Sequence, residues 1–271
     1  MIQAAFSYII YSWYTMKFNN LSAVILLSTL TISAFAQRSP EQDKLIDKIR
    51  AELGLPEFRS GIKIVPRSQL GMPDEVLKEG QAEARQRKKI GYAEKNMPYV
   101  SELLEMKTTA PIHIKQYATN LNDQGTYLRK SINDLKLAFK FKEITNDRLS
   151  PYGLHITMLG AAPQGGFHEE SGGWSGAVQF FIIKNIGTCV YGMRNVKISG
   201  TAAMLAKEDV VYDINDKVTL VKVDGSKSSG FLYQVEWFDK NNFHELECAN
   251  TQYSKHIKNE VINLARTIDV I

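Results

Sequence analysis

The chain has 271 residues, 44% hydrophobic and 23% charged, with a formal net charge of +4. That balance excludes wholesale disorder, and 18 Gly and 8 Pro exclude a collagen-like or low-complexity chain. Two cysteines are too few for a disulfide-dense mini-protein or a four-cysteine zinc site, so the fold must rest on a hydrophobic core.

Met16 and Lys17 open a second candidate start. Asn19 and Asn20, an apolar run from Leu21 to Ser33 and the small-residue pattern Ala34-Phe35-Ala36 follow, so 16–36 reads as a secretory signal peptide cleaved after Ala36. The run is too short to span a bilayer, and no transmembrane segment is expected after cleavage. Residues 1–15 carry no charge and read as an overcalled start. The alternative, an uncleaved anchor from Phe6 to Ala36, is interrupted by Lys17, Asn19 and Asn20. Lys17 is the only charged residue removed, which leaves 32 basic against 29 acidic residues in 37–271, or +3. Such a weak excess argues against nucleic acid or an anionic membrane as the main partner.

In the mature chain Ser39 can cap a helix, with Pro40 at its first position and Gln42 completing a capping box. Leu45, Ile46, Ile49 and Leu53 form its stripe, and Gly54 and Pro56 end it. Residues 55–71 read as an extended connector. A second helix is expected from Pro73-Asp74-Glu75 toward Asn96; its crowded Arg85, Arg87, Lys88 and Lys89 form either a solvated face or a phosphate-binding patch. Pro98 and Pro111 bracket a short helix, Tyr99 to Met106. Leu128, Ile132, Leu135 and Phe139 recur at helical spacing and predict a helix over about 122–142. Region 37–150 is thus expected to be mainly helical.

From Tyr152 the pattern changes to short β-branched and aromatic runs at Leu154–Leu159, Ala177–Lys184, Val190–Ser199, Lys217–Val223, Phe231–Phe238 and Phe243–Cys248. Val223-Asp224-Gly225 and Asp239-Lys240-Asn241-Asn242 supply turn chemistry, which favours antiparallel pairing. Phe231, Tyr233, Val235 and Trp237 share one face, with Gln234 and Glu236 on the other, so one covered face is expected over 151–250. Its cover is a C-terminal helix over 251–271, striped by Tyr253, Ile257, Val261, Leu264 and Ile268. The expected fold is α+β: one mature domain, with a helical N-terminal half packed against a curved antiparallel β-sheet and a C-terminal helix. An even pair of cysteines in an exported chain predicts a Cys189–Cys248 disulfide.

Gly160 to Gly176 is the most site-like segment, a Gly-rich connection between two expected strands. His168 with Glu169 or Glu170 could serve as base and orienting carboxylate, Ser171 or Ser175 as nucleophile, and Trp174 as a stacking surface for a ligand. The bland reading is a flexible hairpin with solvated polar residues. Glu170-Ser171-Gly172-Gly173 resembles the Ser-Gly-Gly segment of trypsin-like serine proteases over four residues, but has Glu where that family has Asp, and no histidine motif places a base. His155-Ile156-Thr157 resembles half of the two-histidine phosphoesterase signature, without the second half. His244-Glu245-Leu246-Glu247 alternates across a strand and does not converge on a metal, and no cofactor fingerprint occurs. The expectation is a secreted or periplasmic bacterial protein that binds a protein or an envelope or host ligand, with an exported hydrolase at Gly160–Gly176 as the alternative. N-terminal sequencing of the exported protein should begin at Gln37; a mature chain retaining residues 1–15 would overturn the overcalled start.

Overall fold

In the computed structural model, which describes residues 61–106, 129–200 and 202–271, strand alternation sets the architecture. The strands are β1 (Gly61–Val65), β2 (Ala93–Glu94), β3 (Ile156–His168), β4 (Gly173–Ile183), β5 (Gly187–Asn195), β6 (Ala202–Ala206), β7 (Val211–Ile214), β8 (Lys217–Ser226), β9 (Gly230–Phe238) and β10 (Asn242–Asn250). Three helices exceed one turn among the described residues: α1 (Asp74–Ile90), α2 (Pro98–Met106) and α3 (Lys255–Val270). Eight strands form one sheet in the order β2-β8-β9-β10-β5-β4-β3, with β7 also on β8, and β1 pairs with β6 separately. Every pairing in the large sheet is antiparallel except β2 on β8. Among the described residues no helix is long and apolar enough to cross a membrane.

Because successive side chains leave a strand on opposite sides, the sheet has two distinct interiors. Phe181, Tyr191, Tyr233, Trp237 and Leu246 fill the first, closed by Val261, Leu264, Ala265 and Ile268 of α3. Ser254 caps α3 by accepting from the His256 amide. Val178, Phe180, Val190, Leu232 and Ala249 lie on the second, against Val100 and Leu103 of α2. The α+β class, the antiparallel sheet and the C-terminal helix thus agree with expectation, while the predicted Ser39–Leu53 helix and the 16–36 signal lie outside the described residues. The second helix is α1, closed by Gly91 in the left-handed conformation (φ +95°), where an added Cβ would lie 1.7 Å from the Tyr253 hydroxyl oxygen.

Several expectations need correction. The described part of the 122–142 helix is instead a 3-10 turn at Ile132–Asp134 followed by an extended strap. Leu135, Leu137, Phe139 and Phe141 occur at every second position and all pack on the first core, so a period of two prevails over the helical spacing. Trp174 anchors the strap through its backbone, donating to the Lys136 carbonyl and accepting from the Ala138 amide. The Val223–Gly225 turn is strand, and the chain reverses at 227–229. Val190–Ser199 leaves the sheet after Asn195, whose side chain caps a one-turn helix by accepting from Lys197 and Ile198 amides. Gln234 and Glu236 are buried, so both faces of β9 are covered.

Cys189 and Cys248 sit directly opposite on β5 and β10, fully buried, with their Cα atoms 4.1 Å apart, and are joined by a disulfide. The bridge closes a sequence separation of 59 residues. Replacing both cysteines by alanine should lower stability by about 3 kcal/mol in urea denaturation, since reopening the loop enlarges the unfolded ensemble; an unchanged midpoint would refute this.

Candidate functional site

The Gly160–Gly176 segment is largely strand rather than a long loop: β3 runs to His168, a tight turn holds Glu169, Glu170, Ser171 and Gly172, and β4 begins at Gly173. Register shifts at Met158/Gly160 and Gln164/Phe167 accommodate the glycines that made it resemble a loop. Ser175 is buried, and its hydroxyl bonds the Gly166 amide and carbonyl at 3.2 Å each, so it clamps the irregular backbone. Trp174 packs edge-on against Phe167 at 5.5 Å. Glu169, Glu170 and Ser171 are exposed at the tip, and His168 is half-buried, its pKa lowered by burial. Among the described residues no hydrogen bond joins His168 to Glu169 or Ser171. His155 is exposed just before β3.

The arrangement closest to a proton relay lies under α3. His244 is fully buried and stacked on Trp237 at 4.9 Å; its Nδ1 lies 2.9 Å from the Tyr191 hydroxyl and its Nε2 2.9 Å from Asp239 Oδ2. Burial raises the Asp239 pKa, but hydrogen bonds from His244, the Asn241 amide and Asn242 outweigh it and hold the carboxyl well below its usual range. Asp269 of α3 accepts from the Trp237 indole at 3.0 Å and pairs with Lys217. With no exposed surface on His244, this chain of groups fixes α3 to the sheet and offers no access to substrate.

Glu236, Glu245 and Glu247 form a buried acidic row on the opposite face, with Glu236 and Glu245 as cross-strand partners. Gln234 donates to Glu247 at 2.7 Å, whereas Glu245 Oε1 has no hydrogen-bond partner. Burial, reinforced by neighbouring glutamates, raises both the Glu245 and the Glu247 pKa, that of Glu247 to about 7. Among the described residues no group of three His, Cys, Asp or Glu side chains could hold a metal ion.

At the rim of this face, between α1 and β8, a cleft of about 380 Å³ is lined by Arg67, Arg85, Arg87, Lys88, Glu208, Asp209 and Lys222, among others. Two of its cations are already engaged. Arg67 pairs with Asp209 at 2.5 Å, and Arg87 pairs with Asp224 at 2.6 Å and Glu83 at 3.1 Å. Arg85, Lys88 and Lys222 make no ion pair among the described residues; Arg85 and Lys88 are exposed. The helix period supplies Arg85 and Lys88, whose crowding the sequence shows, whereas Lys222 arrives from a strand more than a hundred residues later and carries no local signal.

Comparison of the chain with protein-family models, with curated proteins and with solved structures gives no match.

A carboxyl whose folded pKa exceeds its unfolded value binds its proton more tightly in the folded state, so its stabilising contribution is full at low pH and is lost as pH rises through the folded pKa. Between pH 5 and 7, Glu247 should therefore cost the wild type roughly 2 kcal/mol that Glu247→Gln does not lose. Urea midpoints across that range check this, and parallel curves for the two proteins would refute it.

Proposed function

We propose that this is an exported bacterial protein that acts by binding a protein, envelope or host ligand, with the α1–β8 cleft as its contact site. The carrying observation is the convergence of Arg85, Lys88 and Lys222, cations without ion pairs among the described residues, on one concave surface. They favour an anionic group on the ligand. The Cys189–Cys248 bridge supports export, because such bonds persist in oxidising compartments and are rare in the cytosol. The 16–36 pattern adds the address. The hydrolase alternative gains no support from the hairpin, where Ser175 is buried and bonded to backbone.

Two measurements test this reading. Expression of the full chain in a Gram-negative host with fractionation should give a disulfide-bonded protein outside the cytoplasm, and a cytoplasmic chain retaining 1–36 would overturn export. A thermal-shift screen of metals, sugars, nucleotides, lipids and peptides should find an anionic class that raises Tm by a few degrees, about 2.7 kcal/mol at a hundredfold excess over Kd. The Arg85→Glu/Lys88→Glu double variant should lose that shift, and a shift that survives in it would remove the cleft from the proposal.

A further inference from the structure

Glu236, Glu245 and Glu247 lie on the sheet face away from α3, and each is at most 6% exposed. Glu245 is the rung partner of Glu236, and Glu247 is the partner of Gln234 on β9 and of Val190 on β5. Among the described residues no ion pair reaches any of the three. Lys222 of β8 and Arg194 of β5 act on Glu245 from a distance, while α2 brings the Tyr99 hydroxyl to Glu247 and places the exposed Glu102 near Tyr99. Carboxyls without a counter-ion cannot all be charged in so dry a place: each stays protonated or draws water in after it. Burial lifts the Glu247 carboxyl to about 7 against the pull of the Gln234 amide and the Tyr99 hydroxyl, and Glu236 reinforces the rise. Glu245 is raised in the same way, by burial and then by Glu247 and Glu236.

α2 straddles the end of this row. Its Val100 and Leu103, at most 1% exposed, pack on Val178, Phe180, Val190, Leu232 and Ala249. Ala249 follows Glu247 on the same face of β10, and Leu232 precedes Gln234 on the same face of β9, so the helix that hides these apolar residues also sits at Glu247. The cover is light. α2 has nine residues and rests on apolar side chains, whereas β10 beneath it is hydrogen-bonded along both edges. Of the elements around the row, α2 is therefore the one that moves at least cost.

We infer that α2 is a pH-gated cover of this sheet face: it stays shut while Glu247 and Glu245 carry protons and lifts as they ionise, opening Val178, Phe180, Val190, Leu232 and Ala249 to solvent. The direction follows from linkage. A carboxyl with a pKa near 7 when covered and an ordinary value when solvated favours the covered state in acid, and that advantage is lost as pH rises through the covered value. The opening constant of α2 should therefore grow roughly fortyfold between pH 5 and 7 from Glu247 alone, and level off above that. This goes beyond the binding reading and does not depend on the α1–β8 cleft.

The test is amide hydrogen exchange of the full disulfide-bonded chain between pH 5 and 8, read by mass spectrometry and corrected for the intrinsic exchange rate at each pH. Amides of α2 should open more often than those of β5 and β10 at every pH, because the helix lifts without the sheet unfolding. Their opening constant should climb with pH as above in the wild type and stay nearly flat in Glu245→Gln/Glu247→Gln, whose side chains keep their size and cannot ionise. Exchange of α2 at the rate of β5 and β10 would mean that it opens only when the whole protein unfolds, and would overturn the gate. An equal pH course in the double variant and the wild type would overturn it too. Tyr99→Phe gives a separate reading, and decides alone if the double variant does not fold. Without the hydroxyl that favours the charged form of Glu247, the rise should move to higher pH; a curve that does not move would overturn the placing of the gate over Glu247.

Discussion

β10 is hydrogen-bonded along both edges, to β9 on one side and β5 on the other, and its register decides which chemistry faces which way. His244, Leu246 and Cys248 look toward α3, whereas Glu245 and Glu247 look away from it. A slip of one residue would put two carboxylates into the aromatic core and carry Cys248 off the rung it shares with Cys189. The disulfide therefore joins the one pair that the register already places face to face, and it holds that register whenever the ladder breathes.

The two interiors manage buried polarity differently. Under α3, His244 has a partner at each ring nitrogen and Asp269 collects donors from Trp237, Asn215 and Lys217. Every desolvated group there is repaid by a hydrogen bond, which makes the network rigid. On the opposite face Glu245 Oε1 and Arg194 Nε are buried without hydrogen-bond partners, and burial drives the glutamates toward their neutral form. Lys222, at the cleft, is one of the cations that oppose this shift at Glu245.

The sheet was legible where alternation was local and uninterrupted. Phe231 to Trp237 announced both a strand and its covered face, and the stripe from Tyr253 to Ile268 announced the helix above it. Leu135 to Phe141 carried an equally strict alternation, but Leu135 and Phe139 also continued a helical stripe from Leu128 and Ile132, and packing on the first core together with the backbone bonds to Trp174 selects the extended form. Gly160 to Gly176 was obscured for another reason: its glycines serve bulged strands, and Ser175, which resembled a nucleophile, fills the bulge. The site was half readable. Arg85 and Lys88 lie one turn apart on a helix, but the acidic row needs Glu236 opposite Glu245, and the cleft needs Lys222 beside α1. Such adjacencies are set by strand pairing, which a single sequence does not display.

The position of α3 in chain order bears on how the molecule is made. α3 follows every strand it covers, so Trp237, Tyr233 and Leu246 are synthesised before the surface that buries them, and the indole waits for Asp269. A nascent chain that has completed β10 possesses an aromatic sheet face open to water and cannot close its main core. Closure of the main core is thus deferred until the covering helix has been made.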